Sequence, residues 1–317
     1  MSLVSIVIPA YNEEEAIGHD LDTILETMEA SSYEYEVIVV DDGSTDRTAQ
    51  IVREREGVRL IRHPRNKGTG AARKTGILQA KGDLVVMTDG DGSYPNQDIP
   101  RLLELLPEYD MVIGTRTVEK GGMRLLRVPT KWLIRQLASF ITATKIPDLN
   151  SGFRAFKKNI ALKFFNILPN SHSWVGTITI AFLGNDYEVA FIPIDYYERK
   201  GESTFHPLKD TYNYISLVIL TIMQFNPLKF FLPLAASIFL LGSVKLLYDL
   251  IFLSDVRESD IMLVLTGVIV SVVGLLADLI VKEHRYRYLG LDEREVEQWE
   301  EKDDERSAGP DGGQFIR

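Results

Sequence analysis

Asp89-Gly90-Asp91 places two carboxylates one residue apart, directly after the apolar run Asp83–Thr88. Hard oxygen ligands on a short loop suit Mg²⁺ or Mn²⁺, which bind few protein carboxylates and complete their shell with phosphate and water. Glycine at 90 and 92 allows a tight bend. A polar strand-to-helix turn with a capping Asp is the plainer alternative. Two further strand ends argue against it: Pro9-Ala10-Tyr11-Asn12-Glu13 and Asp41-Asp42-Gly43-Ser44. Polar ends of several strands in one parallel sheet are better explained as one ligand pocket than as unrelated turns. Tyr11 offers a flat ring, and Glu13 and Asp42 can accept from a base N–H. Those parts fit a nucleotide diphosphate. Lys67 and the helix start at Gly68–Gly70 are placed to face its phosphates, although Lys67 equally reads as a solvated loop lysine. Neither G-x-G-x-x-G after the first strand nor G-x-x-x-x-G-K-[ST] occurs, which disfavours dinucleotide and Walker-type sites.

The elements that must position these residues alternate regularly. Strands are expected at Leu3–Ile8, Tyr35–Val40, Val58–Arg62, Leu84–Thr88 and Met111–Gly114. Helices fall between them: from Glu13 to Ala30 with Asn12 as N-cap, to about Glu56 with Ser44 or Thr45 as cap, from the Gly68 region to Ala80, and over Asp98–Leu106. This order predicts an α/β fold with a mainly parallel, Rossmann-like sheet. Beyond Thr115 comes a basic, Gly-containing loop (Arg116, Lys120, Arg124, Arg127), then a helix over about Lys131–Thr144. Asn150–Phe156 and Glu188–Tyr197 read as strands around a helix at Thr177–Leu183.

Of 317 residues none is cysteine, which excludes disulfides, thiolate zinc sites and cysteine nucleophiles. The net charge of −10, without a basic run, gives no reason to expect nucleic acid as a partner. The amino terminus reads as a strand rather than a signal peptide. Phe230–Leu253 and Ile261–Val281 are each near the ~20 apolar residues that cross a bilayer. Lys229 precedes the pair, Lys282–Arg287 follows it, and the connector 254–260 is net acidic. The positive-inside rule then puts the catalytic domain and both termini in the cytoplasm. Lys245 and Asp249, four apart in the first span, are expected to pair. The expected organisation is a catalytic domain over 1–205, an interfacial amphipathic helix over 206–227 lying on the bilayer, a transmembrane hairpin over 228–283, and a charged, partly disordered tail over 284–317.

The strand-end motifs, with Asn66-Lys67-Gly68, resemble family 2 glycosyltransferases of the GT-A fold. Asn150-Ser151-Gly152-Phe153-Arg154 and Arg199-Lys200-Gly201-Glu202-Ser203 resemble the polyprenyl-phosphate (dolichyl-phosphate) sugar synthases within it. The resemblance runs from about Leu3 to Pro207. It implies inverting transfer from a nucleotide diphosphate sugar to a polyprenyl phosphate. By position it implies that Pro9, Tyr11, Glu13, Asp42, Lys67 and Asp89 bind the nucleotide. Asp89 and Asp91 would hold Mg²⁺ or Mn²⁺. Arg116, Arg127, Lys131, Ser151 and Arg154 would serve the acceptor phosphate, and Arg199 the donor diphosphate or the moving sugar. The final motif often continues with Lys where this chain has Thr204, and mannosyl members commonly carry Gln where it has Ser93, within Gly92-Ser93-Tyr94-Pro95. That departure favours a UDP-sugar, glucose or an N-acetylhexosamine, over GDP-mannose. A GDP-mannose-dependent synthase, a processive polysaccharide synthase and a non-catalytic membrane scaffold remain the alternatives, and homo-oligomerisation is left open.

Overall fold

The structure, a computed structural model, describes residues 3–116, 136, 139, 144–171, 173–198, 223 and 227–289, with side chains to 283. It divides into two compact units, Met1–Phe225 and Asn226–Arg317. The expected helix over 131–144 falls almost wholly outside the described residues, and the expected interfacial helix does so apart from 223 and 227.

In the first unit, β1 (Val4–Ala10), β2 (Tyr35–Asp41), β3 (Val58–Arg62), β4 (Leu84–Met87), β5 (Met111–Arg116), β6 (Arg154–Lys157) and β7 (Val189–Ile194) form one sheet. Their order is β3-β2-β1-β4-β6-β5-β7. All seven residues of β1 are buried, as a strand covered on both faces requires. All pairings are parallel except those of β6, which runs against β4 and β5. The register decides where chemistry can gather. Ala10 pairs with Asp41, and Val7 with Met87, so Tyr11, Asp42 and Asp89 leave the sheet at one edge. Antiparallel β6 starts there, with Arg154 opposite Met87 and Ile113. Arg116 ends β5 at the same edge, opposite Ile194.

Helices α1 (Ile17–Glu29), α2 (Thr48–Arg53), α3 (Thr69–Gln79), α4 (Ile99–Leu103), α5 (Lys158–Lys163) and α6 (Trp174–Leu183) support the sheet. On α1, Ile17, Leu21, Ile24 and Met28 form a buried stripe at helical spacing. Gly76 brings α3 onto β1: a Cβ there would lie 2.2 Å from Val7 Cγ1.

Several expected boundaries shift for identifiable reasons. Asn12 does not cap α1, which begins five residues later. Its backbone is left-handed (φ 55°), and its Oδ1 accepts Thr45 N–H at 2.9 Å. Ser44 likewise does not cap α2, since its Oγ accepts Asn12 N–H at 3.0 Å. Thr48 Oγ1 and Asp46 Oδ2 accept Glu13 and Glu14 N–H at 2.8 and 3.1 Å. These polar side chains sew two strand ends together, and only Asp46 also serves its own helix, its Oδ1 accepting Thr48 N–H at 3.0 Å. The helix expected over 98–106 is a 3₁₀ turn, Asn96–Asp98, followed by the short α4. The strand expected from Asn150 starts only at Arg154.

The second unit is a hairpin of α7 (Leu228–Tyr248), extended by a π-helical turn (Asp249–Leu253), and α8 (Glu258–Leu289). Two stretches of 26 residues, Leu228–Leu253 and Glu258–Glu283, are long and apolar enough to cross a membrane. At 1.5 Å per residue each spans about 39 Å, against a hydrocarbon core of about 30 Å. Leu240, Leu241, Phe252, Met262 and Leu279 are exposed, as side chains facing an apolar solvent would be. Inside the hairpin, Gly242 sits against Leu263, Gly267 against Phe239, and Gly274 against Phe231. Lys245 pairs with Asp249 at 3.2 Å, as expected from their spacing. It also reaches the buried Asp260 on α8.

Candidate active site

The Asp89–Asp91 turn is fixed from below. A Cβ on Gly90 would lie 2.5 Å from Ile17 Cδ1, and Gly92 takes φ +75°, which an L side chain resists. Asp91 Oδ1 accepts the N–H and the hydroxyl of Ser93 at 3.1 and 2.5 Å. Ser93 thus braces Asp91. Asp89 is more open, with 26% of its side chain accessible. Its Oδ1 accepts from Arg73 Nη2 at 2.7 Å, and a Cβ on Gly152 would lie 2.7 Å from its Oδ2.

A third carboxylate stands behind the turn. Asp20 Oδ2 accepts Gly92 N–H at 2.8 Å, and Oδ1 accepts Asn96 Nδ2–H at 3.0 Å. Asn96 Oδ1 in turn accepts the Thr88 hydroxyl at 2.8 Å. The start, middle and end of the loop are thereby tied to α1. Burial pushes Asp20 up to about 7; Gly92 and Asn96 oppose this, while the charges of Asp91 and Asp89 add to it. Asp89 and Asp91 fit a small hard cation as far as two carboxylates can. Among the described residues no cluster of three His, Cys, Asp or Glu forms a protein cage, so a cation held here would need phosphate and water to complete its shell.

On the β1–β2 side, Tyr11 is 37% exposed and Glu13 half-buried, while Pro9 lies buried within β1. Asp42 is buried. Its Oδ1 accepts His63 Nδ1–H at 2.6 Å and Lys67 N–H at 3.0 Å, and its Oδ2 accepts Gly68 N–H at 2.8 Å. The Lys67 side chain is exposed. The start of α3 is partly occupied already. Gly68 N–H is spent on Asp42, Ala71 N–H points at Asn170 O at 3.3 Å, and a Cβ on Gly70 would lie 2.4 Å from Pro169 O. This corrects the expectation of an open, phosphate-facing helix start.

On the β5–β6 side, Arg116 makes a bidentate pair with Asp148, Nε–Oδ2 at 2.7 Å and Nη2–Oδ1 at 2.9 Å. Its guanidinium lies 5.2 Å from the Tyr196 ring centre. Burial alone would raise Asp148, but the Arg116 hydrogen bonds and charge hold its carboxyl below the usual range. Burial also disfavours charge on Arg116, yet the Asp148 hydrogen bonds raise its pKa further above its ordinary value. Tyr94 hydroxyl accepts Gly152 N–H at 2.7 Å, and its ring stacks on Phe153 at 5.7 Å.

Ser151 and Arg154 correct the expectation for the acceptor phosphate. Both are fully buried. Arg154 turns under the sheet, donating to Val175 O at 3.0 Å, to Thr179 Oγ1 at 2.9 Å and to Ser151 O. Burial, then the nearby Arg73 charge, lowers its pKa to about 9. Arg127, Lys131 and Arg199 lie outside the described residues. The sequence reading missed Asp20, His63, Arg73, Asp148 and Tyr94. Of these only Asp20 left a signal, as an acid flanking Leu21 on the apolar stripe of α1.

Residues 5–165 match the family model described as Glycosyl transferase family 2. The chain belongs to that family. Residues 226–282 match the GtrB C-terminal hairpin. The family 2 chain is similar to dodecaprenyl-phosphate galacturonate synthase of Rhizobium johnstonii, 27% identical over 302 residues, covering 89% of this chain and 88% of the relative. It is 30% identical over 260 residues to undecaprenyl-phosphate 4-deoxy-4-formamido-L-arabinose transferase of Edwardsiella ictaluri, covering 80% and 75%. It is 33% identical over 207 residues to dolichyl-phosphate hexose transferase of Haloferax volcanii, covering 64% and 87%. Among solved structures, glucosyl-3-phosphoglycerate synthase from Mycobacterium tuberculosis, in complex with Mn²⁺, UDP-glucose and phosphoglyceric acid, superposes with a TM-score of 0.55. That likeness, at 22% identity over 69% of this chain and 79% of the other, shows the GT-A fold. The protein is a glycosyltransferase with a GT-A catalytic unit and a C-terminal apolar hairpin.

Proposed function

We propose that this glycosyltransferase moves a sugar from a nucleotide diphosphate sugar, a UDP-sugar in our reading, to a polyprenyl phosphate with inversion. The observation that carries the reading is the convergence of the β1, β2 and β4 ends on one sheet edge, in a chain that also holds a membrane-type hairpin. Polyprenyl or dolichyl phosphate stands in the names of all three relatives. Tyr11 and Asp42 take the base, and Asp89 and Asp91 hold Mg²⁺ or Mn²⁺ against the diphosphate. The cation, when bound, neutralises charge on the leaving group.

The acceptor phosphate is largely ionised, with a second pKa of ~6, so it requires no strong general base. It requires positioning and relief from repulsion between two anions. Arg127 and Lys131 are proposed for that task, with Arg116 fixing the start of their segment, and Arg199 for the donor side; the planar fork of Arg suits phosphate. In-line attack at the anomeric carbon converts an α-linked donor to a β-linked lipid phosphate. The positive-inside pattern of Lys229 and Lys282–Arg287 around the hairpin supports a catalytic unit on the cytoplasmic face.

The test is incubation of purified protein with labelled UDP- and GDP-sugars, Mg²⁺ or Mn²⁺ and a polyprenyl phosphate. A lipid-linked sugar from a UDP donor is expected. Folded protein giving no lipid-linked product with any donor sinks the proposal. Product from GDP-mannose alone transfers it to the mannosyl alternative.

A further inference from the structure

We propose that His63 sets base selectivity at the proposed nucleotide site, by engaging one oxygen of Asp42 so that the carboxylate can accept only a single base N–H. The inference rests on the nucleotide-sugar reading above and deepens it.

A carboxylate offers about four lone-pair sites. At Asp42 the protein fills three of them: His63 Nδ1 and Lys67 N–H on Oδ1, and Gly68 N–H on Oδ2. The role of His63 is unambiguous at this contact. A carboxylate can only accept, so Nδ1 carries the hydrogen, and in the neutral ring Nε2 accepts the Thr75 hydroxyl at 2.9 Å. Thr75 therefore fixes the ring from its far side. Only 3% of the Asp42 side chain and 6% of His63 remain accessible, so little water can compensate a base donor left unpaired.

Uracil presents one N–H on its pairing edge, flanked by carbonyls. One site on Oδ2 satisfies it. Guanine presents a ring N–H beside an exocyclic amine and needs an acceptor on each oxygen. With His63 on Oδ1 that fork is missing. His63 does not touch the reacting atoms in this scheme; it is a positioning residue acting through Asp42.

The experiment measures UDP and GDP affinity of the full-length protein in detergent with Mn²⁺, by calorimetry. Wild type is expected to favour UDP by at least roughly tenfold, about the cost of one charge-assisted hydrogen bond left unmade. His63→Leu opens the second oxygen, and the ratio should fall to within about threefold. His63→Asn, whose amide N–H replaces Nδ1–H, should keep the wild-type ratio. A merely structural His63 would weaken both nucleotides in parallel, and an unchanged ratio in His63→Leu overturns the inference. Should that variant not fold, the wild-type and His63→Asn ratios decide. Wild-type binding of GDP within about threefold of UDP overturns this inference alone. Binding of neither nucleotide overturns it together with the nucleotide-sugar proposal.

Discussion

At the ends of β1, β2 and β4, carboxylates are held by donors from nearby loops and helices, most of them neutral, with Arg73 on Asp89 and Arg62 on Asp41 as the charged partners. At the ends of β5 and β6, guanidinium groups are buried and neutralised, or solvated by carbonyls. Asp42 collects an imidazole and two amides, and Asp20 an amide and a carboxamide. Arg116 instead pairs with the Asp148 carboxylate and lies over the Tyr196 ring, and Arg154 donates to the carbonyls of Ser151 and Val175 and the hydroxyl of Thr179. In the first region Asp89 keeps part of its side chain accessible, while Asp20, Asp42 and Asp91 are buried behind it. The second uses its charge to close the base of a long connection, since Asp148 lies 32 residues from Arg116. Damage to the first should cost activity, and damage to the second should cost stability.

The largest expected effect is on the first side. Asp91→Ala should lower transfer by roughly 10²–10³-fold, the scale seen when one electrostatic contact is removed from a transition state. Its melting temperature without metal should stay near wild type. Parallel losses of activity and melting temperature would erase the contrast between the two regions.

Next comes the Arg116 pair. Asp148→Ala removes the bidentate partner of the largely buried Arg116 and should destabilise the catalytic unit by about 2–3 kcal/mol in chemical denaturation. The sign of its pH dependence follows from the depressed carboxyl. The stabilisation is complete above the unfolded value of about 4 and is lost as pH falls through the lower folded value. Asp148→Asn should therefore flatten the acid limb of the stability curve and leave the slope above pH 5 unchanged.

A smaller effect of opposite sign belongs to Asp20, whose folded value is raised to about 7. Between about pH 4 and 7 the unfolded chain has lost this proton and the folded one retains it, so stability falls as pH rises. Asp20→Asn can keep its hydrogen bonds if the Asn96 amide flips and the Thr88 hydroxyl turns to accept. It should gain on the order of 2 kcal/mol at pH 8 and little at pH 4, in metal-free melts. A gain equal at both pH values would remove the buried charge as the cause. The smallest effect is expected for Lys67→Ala. Its amide serves Asp42 but its side chain is exposed, so stability should change by less than about 0.5 kcal/mol. Any loss of UDP affinity then reports on phosphate contact alone.

The first region was also the one legible in the sequence. Strands buried on both faces write themselves as unbroken apolar runs, and the acids follow at their ends. What failed to show was partnership across the chain. Asn12 and Ser44 look like helix caps because capping is the commonest local use of such side chains, yet 32 residues separate the ends they join. Gly92 and Asp20 are 72 apart. Arg154 follows a motif that invites a phosphate, but it opens an antiparallel strand between β4 and β5 and turns into the core. A motif gives residue order; it does not say which face of an inserted strand each residue occupies.

The glycines of the hairpin carry a mechanical consequence. Phe231 and Phe239 are seated against Gly274 and Gly267, and Gly242 receives Leu263. Sliding α7 by one turn, about 5.4 Å, would bring Phe239 against Leu263 or Ser271 and Phe231 against Val270 or Asp278. None of these offers the missing Cβ. The two helices therefore mesh like the teeth of a rack locked in one notch, and the hairpin should behave as a stiff post rather than a piston.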